Sequence, residues 1–274
     1  MLWKYKLYKY KSYDESEEHR DDIITKQELY FSSVEKFNDP IDSKLAYRQC
    51  YSEDEIVAFW KNFLQNRPNH PQSLEEILQL YGDNESFVKF KSENVERLKS
   101  MKGVLCLSKN PKNILMWAHY ADSHKGLVYE FEFEVDTDPK KNGLNQNNLF
   151  LQKTDDFQPF PYKIDYPYDR EYEPLSYTLT DDELNQQFAR LLTTKAPDWM
   201  YEQEYRFIDL HIKNDNDRAK KFNKKCLKSI IFGKEASEET IQRVKQLCEE
   251  NGFDIKFKQA DFIDGKFELE FKDK

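Results

Sequence analysis

The sequence predicts an α+β fold in a single domain over residues 1–274, and three observations support this. Segments that alternate aromatic and charged residues, as strands do, are interspersed with segments whose apolar residues recur every three or four positions, as in helices. Aromatic residues make up 15% of the chain, including 20 Phe and 17 Tyr, which is enough apolar surface for a core. No internal repeat and no clear linker divides the sequence.

Each element follows from its local pattern. The predicted strands are short and rich in aromatic or β-branched residues: 2–12, 28–33, 103–108, 126–134, 162–166, 201–208, 227–232, 254–259 and 266–271. The predicted helices have apolar residues at helical spacing: 53–66, 73–102, 113–121, 180–194 and 237–250. Residues 53–102 are predicted to form a helical insertion, and 136–160 a polar loop. Asn38, Asp39 and Pro40 predict a fixed turn beside the site.

Composition excludes several classes of protein. A net charge of −9 does not favour a general nucleic-acid binder, and with only 7 Gly no glycine-rich phosphate loop is present. The four cysteines lie far apart without a C-x-x-C pair, so no metal site is expected. The first residues lack the apolar stretch of a signal peptide, and no run of 18 apolar residues is present. We therefore expect a cytoplasmic protein with free thiols and no membrane association.

The most informative segment is Trp199 to Asp209, which contains a Glu-x-Glu pair. In a strand, Glu202 and Glu204 would point to the same side, about 6–7 Å apart, with Arg206 next in line. Two carboxylates and a cation on one face suit a functional site better than a core. The alternative is a solvent-exposed face of an edge strand.

A second segment joins a strand to a helix. Ser108 ends the strand, where a serine either caps the following helix or contacts a ligand. Met116 and Tyr120 share one face of that helix, which is a core stripe unless the site uses it. His119 and His124 lack a triad partner in the sequence, and neither is assigned a nucleophile-activating role.

The order of these motifs resembles a bacterial family, the domain of unknown function numbered 2971. The resemblance rests on four blocks of this sequence: Leu7 to Ser12, Leu29 to Asp42, Cys106 to Gly126 and Tyr201 to Arg206. It extends over nearly the whole chain, except the polar stretch 136–160. Lys11 stands where Arg is common in that family, which keeps the charge but loses bidentate geometry.

The same order also resembles, more weakly, the ADP-ribosyltransferase fold, a split sheet with peripheral helices that uses NAD as its substrate. The resemblance implies Glu204 as the catalytic residue and Glu202 as the residue that orients or deprotonates the acceptor. It also implies a set of residues that contact NAD: Lys9, Lys11, Tyr30, Phe31, Ser108, Tyr120 and Arg206. Lys9 or Lys11 stands where that fold usually has one Arg or His on its first strand, which is a departure from its pattern.

The expected function is therefore cleavage of NAD at the nicotinamide–ribose bond and transfer of ADP-ribose to a protein or nucleic acid. The family resemblance implies a setting in toxin or phage-defence biology, with an inhibitor protein as a further expected partner. One alternative is a non-catalytic module that binds a nucleotide or a partner. Another is a nuclease whose carboxylates hold Mg²⁺: Asp39, Asp42, Glu202 and Glu204.

Overall fold

The structure is a computed structural model, and it describes residues 2–14, 16, 19–39, 41–42, 48–136, 150–151, 159–169 and 181–274. Its architecture is mixed α/β, with a large mixed sheet and several helices. The chain forms two compact units: residues 1–32, 103–164 and 198–274, and residues 33–102 and 165–197. The single domain over 1–274 stays a prediction.

The elements of the described residues are numbered in chain order. The strands are β1 (Leu2–Lys11), β2 (Glu28–Tyr30), β3 (Gly103–Ser108), β4 (Leu127–Asp136), β5 (Tyr162–Lys163), β6 (Glu204–Asp209), β7 (Ala219–Lys221), β8 (Leu227–Phe232), β9 (Lys256–Phe262) and β10 (Leu269–Asp273). The helices are α1 (Asp22–Thr25), α2 (Glu53–Gln65), α3 (Leu74–Tyr81), α4 (Asn84–Ser100), α5 (Ile114–Tyr120), α6 (Asp181–Leu192) and α7 (Glu238–Glu250).

The first unit is built on an eight-stranded sheet in the order β10-β9-β8-β4-β1-β3-β6-β5 among the described residues. Neighbouring strands are antiparallel, except that β8 and β9 run parallel. Strands β2 and β7 form a separate two-stranded ladder. None of the helices described is both long and apolar enough to cross a bilayer.

The alternation of β1 gives the central sheet two buried faces. Leu7 and its neighbours on the same face pack with residues of α1 and α7, such as Ile24 and Val244. Tyr8 and Tyr10 point to the other face and pack with Trp117 of α5. Because both faces have covered regions, a charged side chain that is buried on the middle strands, such as Arg206, is taken out of water and needs a partner.

The second unit has an aromatic core between its helices. Trp60 and Phe87 are fully enclosed there, together with Phe188 of α6. The predicted helix 73–102 is wrong as one continuous element, because α3 ends at Tyr81 and α4 begins at Asn84. A side chain at Gly82 would collide with the Leu78 carbonyl, its Cβ only 2.3 Å from that oxygen.

Most predicted strands are present with small shifts at their ends. The limits 103–108 and 227–232 are confirmed, and 2–12 is shortened by one residue to Leu2–Lys11. The prediction over 162–166 is too long, since pairing with β6 covers Tyr162 and Lys163. The polar segment 136–160 lies mostly outside the described residues.

Candidate functional site

Three middle strands bring the predicted site segments together. Tyr8 of β1 lies opposite Ser108 of β3, and Ser108 lies opposite Glu204 of β6. Neighbouring strands are about 4.8 Å apart, so two strand spacings separate Tyr8 from Glu204 by roughly 10 Å. The prediction that segments 5–12, 103–108 and 201–208 meet is confirmed, and Lys9 lies within the reach of one dinucleotide from Glu204.

Lys9 occupies the place where β1 and β3 part. β1 pairs with β4 along all its residues, but its pairing with β3 is limited to Tyr8 and Ser108. Beyond that pair, the Lys9 ammonium donates to the Cys106 carbonyl, 3.3 Å away, an oxygen that a paired strand would otherwise use. The side chain is partly exposed, but its ammonium is surrounded by protein. This burial lowers the pKa of Lys9, although the negative charge of Glu204 acts in the opposite direction.

Glu204 opens β6 and is held by a fully buried arginine on the same face. The Arg206 Nε donates to Glu204 Oε1 at 2.8 Å and its Nη2 donates to Oε2 at 3.0 Å. Glu204 is 4% exposed and Arg206 0% exposed, so both charges are removed from water. This bidentate geometry is the strongest form of carboxylate recognition, and it fixes the orientation of the Glu204 carboxylate.

Glu202 does not lie on the strand, which corrects the sequence-based prediction. It ends a short 3₁₀ helix, Pro197–Glu202, and is 3% exposed. The Tyr120 hydroxyl, at the end of α5, donates to Glu202 Oε1 at 2.6 Å. The two glutamates are therefore brought near each other by a corner in the chain rather than by the period of a strand.

The corner itself has an unusual backbone. Gln203, between the two glutamates, has φ 46°, a left-handed conformation that costs free energy for any residue except glycine. Ser108 Oγ donates to the Glu202 carbonyl at 2.6 Å, and the Lys109 amide donates to the Gln203 carbonyl at 3.0 Å. Asn113 Nδ2 donates to the carbonyl of Tyr201 at 3.0 Å. Hydrogen bonds from the end of β3 and the start of α5 therefore fix the corner. The Ser108 hydroxyl stabilises the backbone of the site.

Cys106 is a member of this site that the sequence did not single out as a candidate. It lies opposite Arg206 in the β3–β6 ladder, which places its thiol beside the Arg206–Glu204 pair. Burial raises the pKa of Cys106 well above its usual range, and the negative charge of Glu204 raises it further. The thiol therefore stays protonated at neutral pH and is a poor nucleophile. We call Lys9, Cys106, Tyr120, Glu202, Glu204 and Arg206 the glutamate cluster.

Other residues predicted to contact a cofactor lie elsewhere in the first unit. Phe31 is fully buried in the core with α1 and α7, and Tyr30 pairs with Ala219 in the small ladder. Ser32 bridges to Val104, which is about 13 Å along β3 from the Ser108 end. The structure does not bring Tyr30 or Phe31 to the glutamate cluster, because Phe31 is part of the core and Tyr30 belongs to the β2–β7 ladder.

Lys11 lies at the end of β1, opposite Leu127 on β4. Of the two lysines predicted to contact phosphate, Lys9 is the one whose ammonium reaches β3 beside the cluster.

The turn after residue 37 satisfies its own backbone, as predicted. Asp39 Oδ1 accepts from the Ile41 amide at 2.8 Å, while Pro40 lies outside the described residues. Asp42 forms a buried ion pair with Lys195 of the second unit at 3.3 Å. Within the ranges that the structure describes, His, Cys, Asp and Glu side chains form no group of three that could hold a metal ion.

The comparisons with known proteins give one family. A family model described as a protein of unknown function (DUF2971) matches residues 116–207, about a third of the chain. This stretch runs from α5 to β6 and contains Tyr120, Glu202, Glu204 and Arg206. No curated protein matches the chain. No solved structure matches it either.

Proposed function

We propose that the protein is an ADP-ribosyltransferase-like enzyme, which cleaves NAD at the nicotinamide–ribose bond and transfers ADP-ribose to a protein or nucleic acid. One observation carries the proposal: the Lys9 ammonium lies near the Glu204 carboxylate, whose two oxygens already accept from Arg206. Within the described residues no carboxylate is within ion-pair distance of Lys9, and its recorded hydrogen bond is to a carbonyl. A buried cation without its own anion suits a ligand that carries phosphate.

The parting of β1 from β3 supports the split-sheet architecture that the proposal implies. In an intact ladder, backbone groups of β1 would meet the Cys106 carbonyl, and no side chain could enter there. The Lys9 ammonium takes that place instead. Lys9 on β1 and Glu204 on β6, two strands away, would offer a cation and a carboxylate to one dinucleotide.

The chemistry needs one bond broken, one bond formed and one proton moved. The bond from ribose C1′ to the nicotinamide nitrogen breaks, and its electron pair neutralises the pyridinium ring. The ribose then carries oxocarbenium character, which the fixed Glu204 carboxylate stabilises. A lone pair of the acceptor forms the new bond at C1′, and Glu202, aligned by Tyr120, accepts the proton that the acceptor releases.

A non-catalytic binding module is the second candidate, and the Arg206–Glu204 pair favours it. A carboxylate whose two oxygens both accept from a buried guanidinium also fits a purely structural role. Under this alternative Lys9 still binds a nucleotide phosphate, but no bond is cleaved. A third reading, a Mg²⁺-dependent nuclease, needs carboxylates free for metal, whereas Asp42 and Glu204 are each paired with a cation.

The test uses NAD labelled with ¹⁴C in the nicotinamide ring and with ³²P in the adenylate phosphate. The purified protein is incubated with lysate protein, DNA or RNA, with and without EDTA. We expect released nicotinamide and ³²P on one class of acceptor, and in Glu202→Gln we expect the ³²P transfer to be lost and the nicotinamide release to fall less. The matched control is Glu132→Gln, which changes another ion-paired glutamate of the sheet and should leave turnover unchanged.

The other outcomes separate the alternatives. NAD that raises the melting temperature without nicotinamide release supports the binding module. Nucleic-acid cleavage that EDTA abolishes, with no loss of nicotinamide, supports the nuclease. If NAD does not raise the melting temperature and no nicotinamide is released, these two results together would contradict NAD as the ligand.

A further inference from the structure

Strand β10 lies at one end of the large sheet, and among the described residues no other strand pairs with its outer side. Its inner side pairs with β9 in an antiparallel ladder that sets Leu269 opposite Phe262 and Asp273 opposite Lys258. An open strand edge presents backbone donors and acceptors in a row, and another strand can pair with them. The sheet can therefore continue beyond β10.

The backbone hydrogen bonds show which residues of this strand face outward. The Ile263 amide donates to the Glu268 carbonyl at 3.0 Å, and the Lys274 amide donates to the Phe257 carbonyl at 3.1 Å. Successive residues of an antiparallel strand turn their backbone groups alternately to one neighbour and to the other. The even-numbered residues from 268 to 274 therefore direct these groups to β9. The groups at the open edge belong to the odd-numbered residues: Leu269, Phe271 and Asp273.

The charges along this edge follow an order that is complementary to itself. On one face of the strand two acidic side chains come first and two basic ones follow: Glu268, Glu270, Lys272 and Lys274. An antiparallel second copy sets the acidic half of one strand against the basic half of the other. Charges that only keep other strands away from an edge need no such order.

We infer that two copies of the protein associate through β10, antiparallel, about a two-fold axis at Phe271. The backbone groups of Phe271 then bond those of the partner's Phe271, and the groups of Leu269 bond those of the partner's Asp273. The Phe271 ring packs at the edge of the core that contains Tyr10 and Trp117. Contact between the two Phe271 rings extends this core into the second copy.

The charges select this register over its neighbours. With the axis at Phe271, Glu270 lies opposite the partner's Lys272, and Glu268 lies opposite the partner's Lys274. Both are non-hydrogen-bonded positions, where facing Cα atoms are about 4.5 Å apart. An axis at Glu270 or at Lys272 would instead set a charge against its own copy, which is unfavourable.

The same side chains also have partners within one copy. Lys272 pairs with Asp261 at 2.7 Å and with Glu270 at 3.0 Å, and its side chain is still 59% exposed. Pairing across the axis adds to these contacts without breaking them. Exposed ion pairs contribute little affinity and act mainly on partner choice and register. Because a single strand edge is also a small interface, the dimer is expected to be weak.

The test measures self-association of the full chain by sedimentation equilibrium between about 10 µM and about 1 mM, the range in which a weak dimer forms. We expect the apparent mass to rise from one copy towards two. Glu270→Lys and Lys272→Glu should each weaken association at least about tenfold, because like charges then face each other. In an equimolar mixture of the two variants the facing charges are opposite again. The mixture should associate within about threefold of the wild type.

Two further variants control for net charge and for folding. Glu249→Lys makes the same charge change as Glu270→Lys at an exposed position on α7, and it should leave association unchanged. Asp273→Pro removes an amide that faces outward and leaves the ladder with β9 intact, so it should abolish association. The melting temperatures of all variants should stay close to that of the wild type, because the substitutions lie at the surface.

Three outcomes overturn the inference. A wild type that stays monomeric up to about 1 mM shows that the charges only protect the edge. Association that persists in Asp273→Pro, or that the mixture of charge variants fails to restore, assigns it to another surface. The proposed function is tested separately, since β10 and the β6–β5 pair lie at opposite ends of the strand order. Every variant should therefore keep the nicotinamide release of the wild type.

Discussion

Two buried carboxylate clusters lie on the same central sheet, and they differ in how their charges are balanced. We call Lys6, Glu130, Ser229 and Lys258 the Glu130 cluster. Glu130 accepts from Lys6 at 2.9 Å, from Ser229 at 3.1 Å and from Lys258 at 3.4 Å, so each lysine there has a carboxylate. In the glutamate cluster the carboxylates have donors, but Lys9 has no carboxylate within ion-pair distance among the described residues.

The backbone differs as well. Glu130 sits within a strand, opposite Tyr8 and Ser229, and the register with β8 shifts between Glu130 and Phe131. The glutamate cluster is built on a left-handed corner at Gln203 and on a place where two strands part. Burial of a glutamate is common to both, so burial by itself does not indicate function. The unbalanced cation and the left-handed corner distinguish the glutamate cluster, and the proposed function would give a reason for both.

The largest effect is expected from the Arg206–Glu204 pair. Arg206→Met leaves a buried carboxylate without its cation and should lower the free energy of unfolding by about 3–5 kcal/mol, measured by urea denaturation. The double change with Glu204→Gln should recover much of the loss, since no buried charge remains unpaired. The matched change in the Glu130 cluster, Lys6→Met, should cost less because Lys6 is 46% exposed and Lys258 remains. A cost below about 1 kcal/mol for Arg206→Met would contradict the buried pair.

Substitutions of Glu204 and Glu202 should have different effects on turnover. Glu204→Gln should reduce nicotinamide release by on the order of a hundredfold or more, as for other lost electrostatic stabilisers. Its thermal stability should also fall, because Arg206 loses its counter-charge. Glu202→Gln should melt closer to wild type, since an amide oxygen still accepts from Tyr120, and it should reduce transfer more than hydrolysis of NAD. If the wild type, Glu204→Gln and Glu202→Gln have equal activity, both glutamates have a structural role only.

Substitution of Lys9 should affect melting temperature and NAD binding in the opposite way from substitution of a lysine of the Glu130 cluster. Its lowered pKa means that the folded state disfavours the ammonium, a cost that is present below the unfolded pKa near 10.5 and therefore at pH 7. Lys9→Met should leave the melting temperature unchanged or raise it, and weaken NAD binding roughly tenfold, measured by calorimetry. Lys258→Met should lower the melting temperature and leave NAD binding intact. If Lys9→Met destabilises as much as Lys258→Met, Lys9 is a structural cation.

The smallest effect concerns the pH dependence of the Glu130 cluster. Burial pushes the pKa of Glu130 upward, but the hydrogen bond from Lys6 and the charges of Lys258 and Lys6 outweigh it, so the pKa is lowered. This stabilisation is fully present above the unfolded pKa near 4.5, and it is lost as the pH falls through the lower folded value. The difference in unfolding free energy between wild type and Glu130→Gln, about 1 kcal/mol at neutral pH, should shrink below pH 4.5. If the difference in unfolding free energy between wild type and Glu130→Gln stays constant down to pH 3, the ionised Glu130 carboxylate does not stabilise the fold in this way.

Much of the site could be predicted because its residues occur in short ordered motifs. The aromatic–basic alternation of residues 2–12 predicted β1, and the apolar run 103–108 predicted β3 with its terminal Ser108. The expected meeting of these strands with the glutamate segment is confirmed by the register. These features are local or follow from sheet formation, so the sequence contains the signal for them.

Other features depend on distant contacts. The Glu-x-Glu pattern predicted a strand. In the structure, hydrogen bonds from Ser108 and Lys109, at the end of β3, hold the left-handed corner at Gln203. The partner of Tyr120 is 82 residues away, beyond any local pattern. Cys106 gave no signal because a lone cysteine in an apolar strand is an ordinary core residue.

The sequence by itself determined the mixed helix and strand pattern, the polar composition and the three segments that carry Lys9, Ser108 and the two glutamates. Side-chain periodicity and turn chemistry act over a few residues, which is why these could be predicted. The tertiary structure alone decided that the Arg206–Glu204 pair is buried, that Tyr120 aligns Glu202, and that Phe31 is part of the core. Those outcomes depend on which strands are neighbours and where β1 leaves β3, and they are settled by packing between residues far apart in the chain.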